Sequence, residues 1–531
     1  MTEQQENSSR GFSSKAFSKI ETLLNSNIRG VSGSTIIVFV MIFVYFLVFS
    51  IFTVLRQITF KTCAFDLGIY DQALYTTLFE GKFFYETPDL YYTLSGSFFG
   101  VHFTPNTFVL LPFYYVFPRP ETLLVFQSAT IALAAVPIYC LARVLTQRKA
   151  IGIGFVALYL FNPFIHSLNT YDFHIESLLP LLSLSALYYF ETKKWTRFVA
   201  FSILTGTTID VAAFIVFFMG FYGLIRYPKS LFYLIRRKKI EKEKYKAIIA
   251  SLIVLISAVF LLIVAIKIIT LFGPLPLSSS GVGMFSKLGG NYIEIVANAM
   301  FQPWRLIDSF LYDGIYKLAY LSSFFLSVSF LAGYSPKELI LCIPWIGVTL
   351  LTTVNTLYQP GYQFGAFIIP FIFYASTHGI RNIQRYTKDK LLVYRKMKHA
   401  FAILFAMVFF VSPLSPVCYY FSRSAAFSGY PIPTRHTMLL TEAVGLIPKN
   451  ASVLAQNHIF PHVSSRMTAY VWVPLNVTVD YAIADSIQHD YFSAHAKNES
   501  FKQQFEALKN SGEYQVIFDE DNITVIKRLS T

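Results

Sequence analysis

Residues 65–105 read FDLGIYDQALYTTLFEGKFFYETPDLYYTLSGSFFGVHFTP, a polar stretch that follows the first long hydrophobic segment of the chain. It contains five acidic residues against one lysine, whereas the whole chain has a formal net charge of +14. Residues 71–79, DQALYTTLF, place apolar side chains at helical spacing with a polar opposite face, which predicts a helix lying in a membrane interface. The flanking chain is therefore interpreted as the scaffold of an acidic loop at a membrane surface.

Two aspartates of this stretch are candidate catalytic residues. Asp66 stands just before the apolar period, where a helix N-cap is expected, and Asp71 follows a little over one turn later. A carboxylate at the edge of a membrane cavity can act as a general base or hold a metal ion. The structural alternative is that Asp66 only caps the helix, and the sequence leaves both readings open.

The composition is that of a multi-spanning membrane protein. Of the 531 residues, 54% are hydrophobic and 14% are charged, and the mean hydropathy is +0.50. The basic excess lies in short loops between hydrophobic segments, where it sets orientation, so it does not indicate a nucleic-acid partner. The four cysteines have neither CxxC nor metal-ligand spacing and predict no disulfide framework.

The hydrophobic pattern predicts eleven crossings and one shorter helix. Residues 34–55 read as the first span, an uncleaved signal anchor whose basic flank favours a cytoplasmic N-terminus. Residues 103–117 are too short to cross about 30 Å at about 1.5 Å per residue, so they are predicted to form a re-entrant or juxtamembrane helix. The predicted crossings lie near residues 34–55, 121–145, 149–168, 174–191, twice within 196–226, and near 247–272, 315–332, 337–354, 362–379 and 399–421.

The segment 196–226 is longer than one span and short for two. The very basic loop that follows it is expected in the cytoplasm, which requires two thin crossings with Asp210 at the outer hairpin. A carboxylate at the bilayer centre would cost about 2.5–3.5 kcal/mol, which also favours Asp210 at the interface. A single crossing stays an open alternative.

The chain divides into three regions. These are a cytoplasmic N-terminal tail (1–33), a membrane domain (34–421) with an outer loop (56–103), and an extracytoplasmic domain (422–531). In the last region, strands are predicted at 452–455, 469–473 and 479–484, a helix within 499–512, and a hairpin within 514–528. The predicted fold class is mainly α, a polytopic membrane protein with a small C-terminal α/β domain.

Further candidate site residues lie near the predicted outer surface in distant parts of the chain. His102 precedes the short helix, Asp172, His174 and Glu176 alternate in YDFHIE, and Asp210 lies in the hairpin. Sites between packed helices are commonly built this way. The alternatives are acids at a helix start for Asp172 and Glu176, and an interfacial histidine for His102, which could equally contact a metal ion or a phosphate.

Two other polar segments supply weaker candidates for substrate binding. Aromatic and amide side chains suit sugars, although tyrosine is also common at membrane interfaces. Histidine and arginine in the tail could contact an anionic group or simply form domain surface. The residues are Tyr358, Gln359 and Tyr362 in a short outer loop, and His458, His462 and Arg466 in the tail.

Four stretches together resemble a known membrane family. They are FDLGIYDQALYTTLFEGKFFYE, GVHFTPNTFVLLPFYYVFPRPETLLVFQSATIALAAVPIYCLAR, YDFHIESLLPLL and VLAQNHIFPHVSSRMTAYVW. They are similar to the family labelled domain of unknown function 2079, and the resemblance covers most of the chain. That family in turn resembles the GT-C glycosyltransferases, which include the protein mannosyltransferases and the lipid A aminoarabinose transferase.

The resemblance implies a fold, a donor and roles for several residues. In the GT-C superfamily an acid opening the first outer loop is the catalytic base or metal contact, and the donor is a polyprenyl-phosphate sugar. Asp66 matches that acid, with Asp71 close behind, and Asp172 matches a second acidic position. Asp210 falls where relatives place a basic contact to the lipid phosphate, so this chain departs from the pattern there.

The expected function is glycosyl transfer from a polyprenyl-phosphate donor to a glycan, lipid or protein acceptor at the outer membrane face. A divalent metal ion is an open cofactor, and membrane lipids are the expected surroundings. A transporter or flippase of a lipid-linked substrate is one alternative. A non-catalytic receptor or scaffold is the other.

Overall fold

The computed structural model describes most of the chain and shows a mainly helical protein. Most of the predicted N-terminal tail lies outside the described residues, so its structure is left aside. Helix dominates from residue 33 to residue 411, and the strands longer than two residues lie in the C-terminal domain. The described residues are 26–28, 30–91, 93, 95–273, 283–387, 390–418, 429–474, 477–491 and 500–529.

Three of the described helices are long and apolar enough to cross a membrane. They are Gly33–Ile58, Pro120–Thr146 and Lys242–Phe272, of 26, 27 and 31 residues. A fourth crossing is completed if Lys149–Leu160 and Pro163–Thr170, which meet at a bend of 48°, form one broken span. Pro163 explains the break, because proline cannot donate the helical hydrogen bond. All four agree with predicted spans.

The other described helices of the membrane domain are too short, or not apolar enough along their length, to count as crossings. Trp195–Gly206 and Ala212–Ile225 are separated by a turn that contains Asp210, so the predicted division of this segment is confirmed, whereas neither helix is long enough to establish a crossing. The predicted spans near 315–332, 337–354, 362–379 and 399–421 correspond to helices with shifted bounds. The remaining helices are Leu178–Glu191, Pro228–Ile235, Gly314–Leu326, Ile343–Leu351, Ile369–Thr387 and Lys390–Val411.

Residues 103–117 form two short helical pieces, which fits the predicted non-crossing segment. Pro105–Leu110 is a 3₁₀ helix and Leu111–Val116 is an α-helix, each of six residues. The chain between the predicted spans 247–272 and 315–332 was expected to form a loop, but its described part is partly helical. It contains the short helices Tyr292–Phe301 and Pro303–Leu311, which carry exposed apolar side chains such as Phe301, 75% exposed.

The C-terminal region contains one five-stranded mixed sheet, and the predicted α/β fold is confirmed. Along the sheet the strands are Ala469–Tyr470, Val453–Ala455, Tyr481–Asp485, Ile523–Arg528 and Tyr514–Glu520. The first three are mutually parallel and the last two form the predicted antiparallel hairpin. The helices Arg435–Gly445 and Phe501–Lys509 both begin with a serine or threonine capping box.

This domain packs directly on the first outer loop. The predicted interfacial helix forms at Ile69–Phe79, but its polar side is buried rather than facing water. Gln72 Nε2 donates to the carbonyl oxygens of Arg466 and Ala469 at 3.0 and 3.2 Å. Asp71, which is 0% exposed, accepts hydrogen bonds from Tyr114 and, at 2.6 and 2.9 Å, from two serines of the tail, Ser464 and Ser465.

We expect Asp71→Ala to loosen this contact. The change removes the acceptor of the buried Tyr114 hydroxyl and of the half-buried Ser465 hydroxyl, and leaves Ser464 only the longer bond to the Pro461 carbonyl oxygen; an unpaired buried group costs about 1–3 kcal/mol. Thermal unfolding of the purified full chain should show a lower Tm. Asp71→Asn, which retains an acceptor oxygen, is the control and should lose less. Equal losses in the two variants would contradict the hydrogen-bonded role.

Candidate functional site

Asp66 is held in a π-helical turn between the first long helix and the helix Ile69–Phe79. The turn, Ala64–Gly68, has no side-chain cap, and Gly68 rather than Asp66 begins the following helix, so the capping alternative does not hold. Asp66 Oδ1 lies 2.9 Å from His174 Nε2, and Oδ2 lies 3.0 Å from Cys63 Sγ. The Asp66 side chain is 20% exposed, which leaves an edge open to a substrate. Single π-turns often occur at functional sites.

The hydrogen bonds of His174 define its protonation. Its Nδ1 lies 2.9 Å from the carbonyl oxygen of Tyr171, which can only accept, so Nδ1 carries a proton. Its Nε2 faces the carboxylate of Asp66, which is also an acceptor when ionised. Burial alone would lower the pKa of His174, but Asp66 outweighs it and raises the pKa to about 9. Burial would raise the pKa of the Asp66 carboxyl, but His174 outweighs burial and lowers it. The two side chains therefore form an ion pair at neutral pH.

Asp172 lies beside this pair in a strained backbone conformation. Its φ is +41°, a region that residues other than glycine rarely adopt and that is often found at functional sites. Oδ2 accepts from the backbone N–H of Cys63 at 2.6 Å, and Oδ1 lies 3.9 Å from Arg56 Nη2. Burial raises the pKa of Asp172 to about 6, although Arg56 opposes the shift.

A second acid–imidazole pair lies near the first. His102 Nδ1 is 3.3 Å from Asp210 Oδ1, and the two side chains are 44% and 24% exposed. Burial would lower the pKa of His102, but the bond to Asp210 raises it above its ordinary value, and Glu176 acts in the same direction. Glu176 also interacts with His174, so it lies between the pairs. Its Oε2 is buried and has no hydrogen-bond partner among the described residues.

The structure therefore brings seven of the thirteen predicted site residues into one region. Tyr362 belongs to it because its ring packs edge-on against Tyr171, at 4.9 Å between centroids, and Tyr171 stacks on His174 at 5.2 Å. The convergence joins four segments that are distant in the chain. The seven are Asp66, His102, Asp172, His174, Glu176, Asp210 and Tyr362.

The other predicted residues make contacts outside this cluster. Asp71 is buried against the tail, and Tyr358 donates to Asp313 at 2.7 Å, with half-buried Gln359 beside it. Arg466 donates to the carbonyl oxygens of Val463, Pro448 and Ala451, inside the tail domain.

His458 and His462 belong to the tail segment that packs against the Asp66 turn. His458 Nδ1 lies 2.8 Å from Asp490 Oδ2, and His462 stacks on Phe60 at 3.8 Å. The backbone N–H of Ala64 donates to Asn457 at 2.8 Å, and the Phe460 ring leaves no room for a Cβ at Gly68. The tail thus fixes the loop that presents Asp66.

Three side chains that complete the site were not among the sequence candidates. Arg56 and Cys63 contact the carboxylates, and Gln127 accepts from the backbone N–H of His174 at 2.7 Å while donating to the carbonyl of Asp172 at 2.6 Å. Two features of the sequence could have pointed to these residues: a glutamine inside an otherwise apolar helix, and an arginine at the end of another.

Cys63, Asp66 and Asp172 place potential ligand atoms within 4.8 Å of one another, yet the donor set does not fit a resident divalent cation. Burial, together with the two acids, raises the pKa of the Cys63 thiol well above its ordinary value, so it is a protonated donor and not a thiolate. His174 and Arg56 already oppose the charges of the two carboxylates.

The fold and the site define a class: a helical membrane protein with two acid–imidazole pairs at one end of the bundle, backed by an α/β domain. The chain belongs to the DUF2079 family of predicted membrane proteins, whose family model matches residues 56–525. No curated protein matches the chain.

The ion pair makes stability depend on pH in a defined direction. Because the pKa of His174 is raised from 6.5 to about 9, its stabilising contribution is complete below pH 6.5 and is lost as the pH rises toward 9. The lowered pKa of Asp66 matters only in acid, as the pH falls below 3.8.

We therefore expect Tm of the wild type to fall between pH 6.5 and 9 more steeply than Tm of Asp66→Asn. Asp519→Asn, a change at an exposed hairpin acid that accepts only from its neighbour Thr524, serves as control and should keep the wild-type slope. Parallel curves for the wild type and Asp66→Asn would show that the pair is not formed.

Proposed function

We propose that this protein is an inverting glycosyltransferase that uses a polyprenyl-phosphate sugar donor. The observation that carries the proposal is the convergence of Asp66–His174 and His102–Asp210, at 2.9 and 3.3 Å, at one end of an apolar helical bundle. This arrangement offers an ionised carboxylate and a partly exposed basic group within a partly dry site, as transfer from a lipid phosphate requires.

Asp66 is the proposed base. An acceptor hydroxyl group would bind at its exposed edge and lose its proton to the carboxylate while its oxygen forms a bond to the anomeric carbon of the donor. The bond from that carbon to the phosphate oxygen breaks, and polyprenyl phosphate leaves with the bonding electrons. His174 orients Asp66 through the bond to Oδ1.

His102 is the proposed phosphate contact. Relatives in the GT-C superfamily place a basic group near the position of Asp210, and His102 supplies one there by pairing with Asp210. The raised pKa of His102 favours the imidazolium form, which attracts an anionic phosphate. Half-buried Tyr362 then lies beside the space for sugar and acceptor, and the buried Asp172 and Glu176 support the site.

The topology that accompanies this proposal has eleven crossings, a cytoplasmic N-terminus and an extracytoplasmic tail. The three clear spans, the bent pair and the turn at Asp210 between two short helices support it. The sugar-bearing lipid would reach the site from the outer leaflet, and the tail domain would contact a glycan, lipid or protein acceptor.

A flippase for a lipid-linked substrate is the second candidate, and one observation favours it. At the far end of the bundle, His378 lies between Glu191 and Glu338, at 3.3 and 3.5 Å, and all three side chains are at most 11% exposed. Buried ionisable chains of this kind occur in transporters. A flippase would move labelled lipid between leaflets without releasing polyprenyl phosphate.

The deciding experiment is transfer of labelled sugar in proteoliposomes that contain the native lipid pool, from a polyprenyl-phosphate carrier to any acceptor. We expect Asp66→Asn to reduce transfer by about 10²–10⁴-fold, since that is the usual contribution of a general base. Asp519→Asn, a change at the exposed hairpin of the tail domain, should retain activity.

Both variants must unfold at a Tm near that of the wild type for the comparison to count. Equal transfer by wild type and Asp66→Asn would remove Asp66 from the mechanism. Leaflet exchange without sugar release would replace the transferase with the flippase.

A further inference from the structure

An open cavity of about 410 Å³ lies at the end of the helical bundle far from Asp66. The helix Leu178–Glu191 begins four residues after His174 and ends at the cavity with Glu191. At about 1.5 Å per residue, its 14 residues separate the two places by about 20 Å. The cavity is thus distinct from the proposed transferase site and does not depend on it.

The lining of this cavity has an excess of positive charge. Arg381 and Arg385 lie four residues apart in Ile369–Thr387, so they share one face of that helix and repel each other. Within the described chain, no ion pair or hydrogen bond is made by either guanidinium. Glu191 is the one acidic residue of the lining, and its Oε1 already accepts from Tyr374 at 2.7 Å and faces His378.

The uncharged part of the lining suits a phosphate ester more than a bare anion. Gln384 adds an amide group next to the two arginines, and Gln147, whose Nε2 donates to the Val144 carbonyl oxygen at 2.8 Å, keeps a second N–H. Guanidinium groups bind phosphate oxygens in pairs. Val144 lies at the end of a membrane-spanning helix and is 37% exposed. It adds an apolar wall next to the polar lining. The volume lies within the usual range of ligand sites.

We propose that this cavity binds the phosphate ester of an anionic membrane lipid. The head group lies between Arg381 and Arg385, and its acyl part follows Val144 toward the hydrocarbon region. Basic pockets at the ends of membrane helices recognise lipid head groups in this way. The bound phosphate relieves the repulsion between the two guanidinium groups, so lipid binding stabilises the far end of the bundle.

The test uses the purified full chain in phosphatidylcholine nanodiscs, with or without phosphatidylglycerol. Lipid retention is counted by native mass spectrometry, and Tm is measured in the same discs. The variant is R381Q/R385Q. The matched control is K238Q/K239Q, which removes the same charge from the basic loop that follows the neighbouring helix Pro228–Ile235.

We expect phosphatidylglycerol to raise Tm of the wild type and of K238Q/K239Q, and R381Q/R385Q to bind it about tenfold or more weakly, as expected when charge-assisted hydrogen bonds are lost. Equal retention by all three proteins would overturn the proposal. So would an unchanged Tm of the wild type.

Inorganic phosphate alone distinguishes the source of the ester. If it raises Tm as much as the lipid does, and R381Q/R385Q abolishes the effect, the cavity takes a soluble phosphate and the lipid assignment is overturned. A lower Tm of R381Q/R385Q in pure phosphatidylcholine would report a folding defect, and the single variants R381Q and R385Q, each of which keeps one guanidinium group, then replace it. Weaker lipid binding by a single variant with wild-type Tm would support the assignment, and wild-type binding by both single variants would overturn it.

Discussion

The buried polar side of the helix Ile69–Phe79 joins the first outer loop to the C-terminal domain. Asp71 and Gln72 are both 0% exposed, and their partners lie almost 400 residues further along the chain. Buried polar groups must be hydrogen-bonded, so this helix and the loop 464–469 are stable in these positions only together. Because the π-turn that carries Asp66 directly precedes this helix, the same contact fixes the candidate site.

Charge balance explains why so many ionisable groups lie together at the Asp66 end. Three of the acids have a cationic partner from another segment: His174 for Asp66, Arg56 for Asp172 and His102 for Asp210. The cost of burying a charge is offset only by such pairing. The paired side chains also differ in exposure, since Asp66 and His102 are partly exposed while Asp172 is buried. That difference separates groups that can meet a substrate from groups that hold the site together.

The two ends of the bundle also differ in the charged groups that they contain. The Asp66 end is rich in carboxylates and is backed by a folded domain, whereas the far end combines an arginine-lined cavity with the buried Glu191–His378–Glu338 cluster. An enzyme that acts on a lipid-linked donor needs contact with lipid at its site and a stable position in the bilayer. Polar clusters at both ends and apolar helices between them suit that demand.

The sequence by itself determined the membrane class, the position of the longest helices, the turn at Asp210 and nearly every element of the C-terminal domain, because hydrophobic length and periodicity are local properties. It also singled out Asp66 and His174. Only the tertiary structure decided that Asp71 meets the tail, that Asp66 is not a helix cap, and that Arg56, Cys63 and Gln127 complete the site. Those facts depend on which segments meet in space, and pairing between distant segments leaves no periodic trace in the chain.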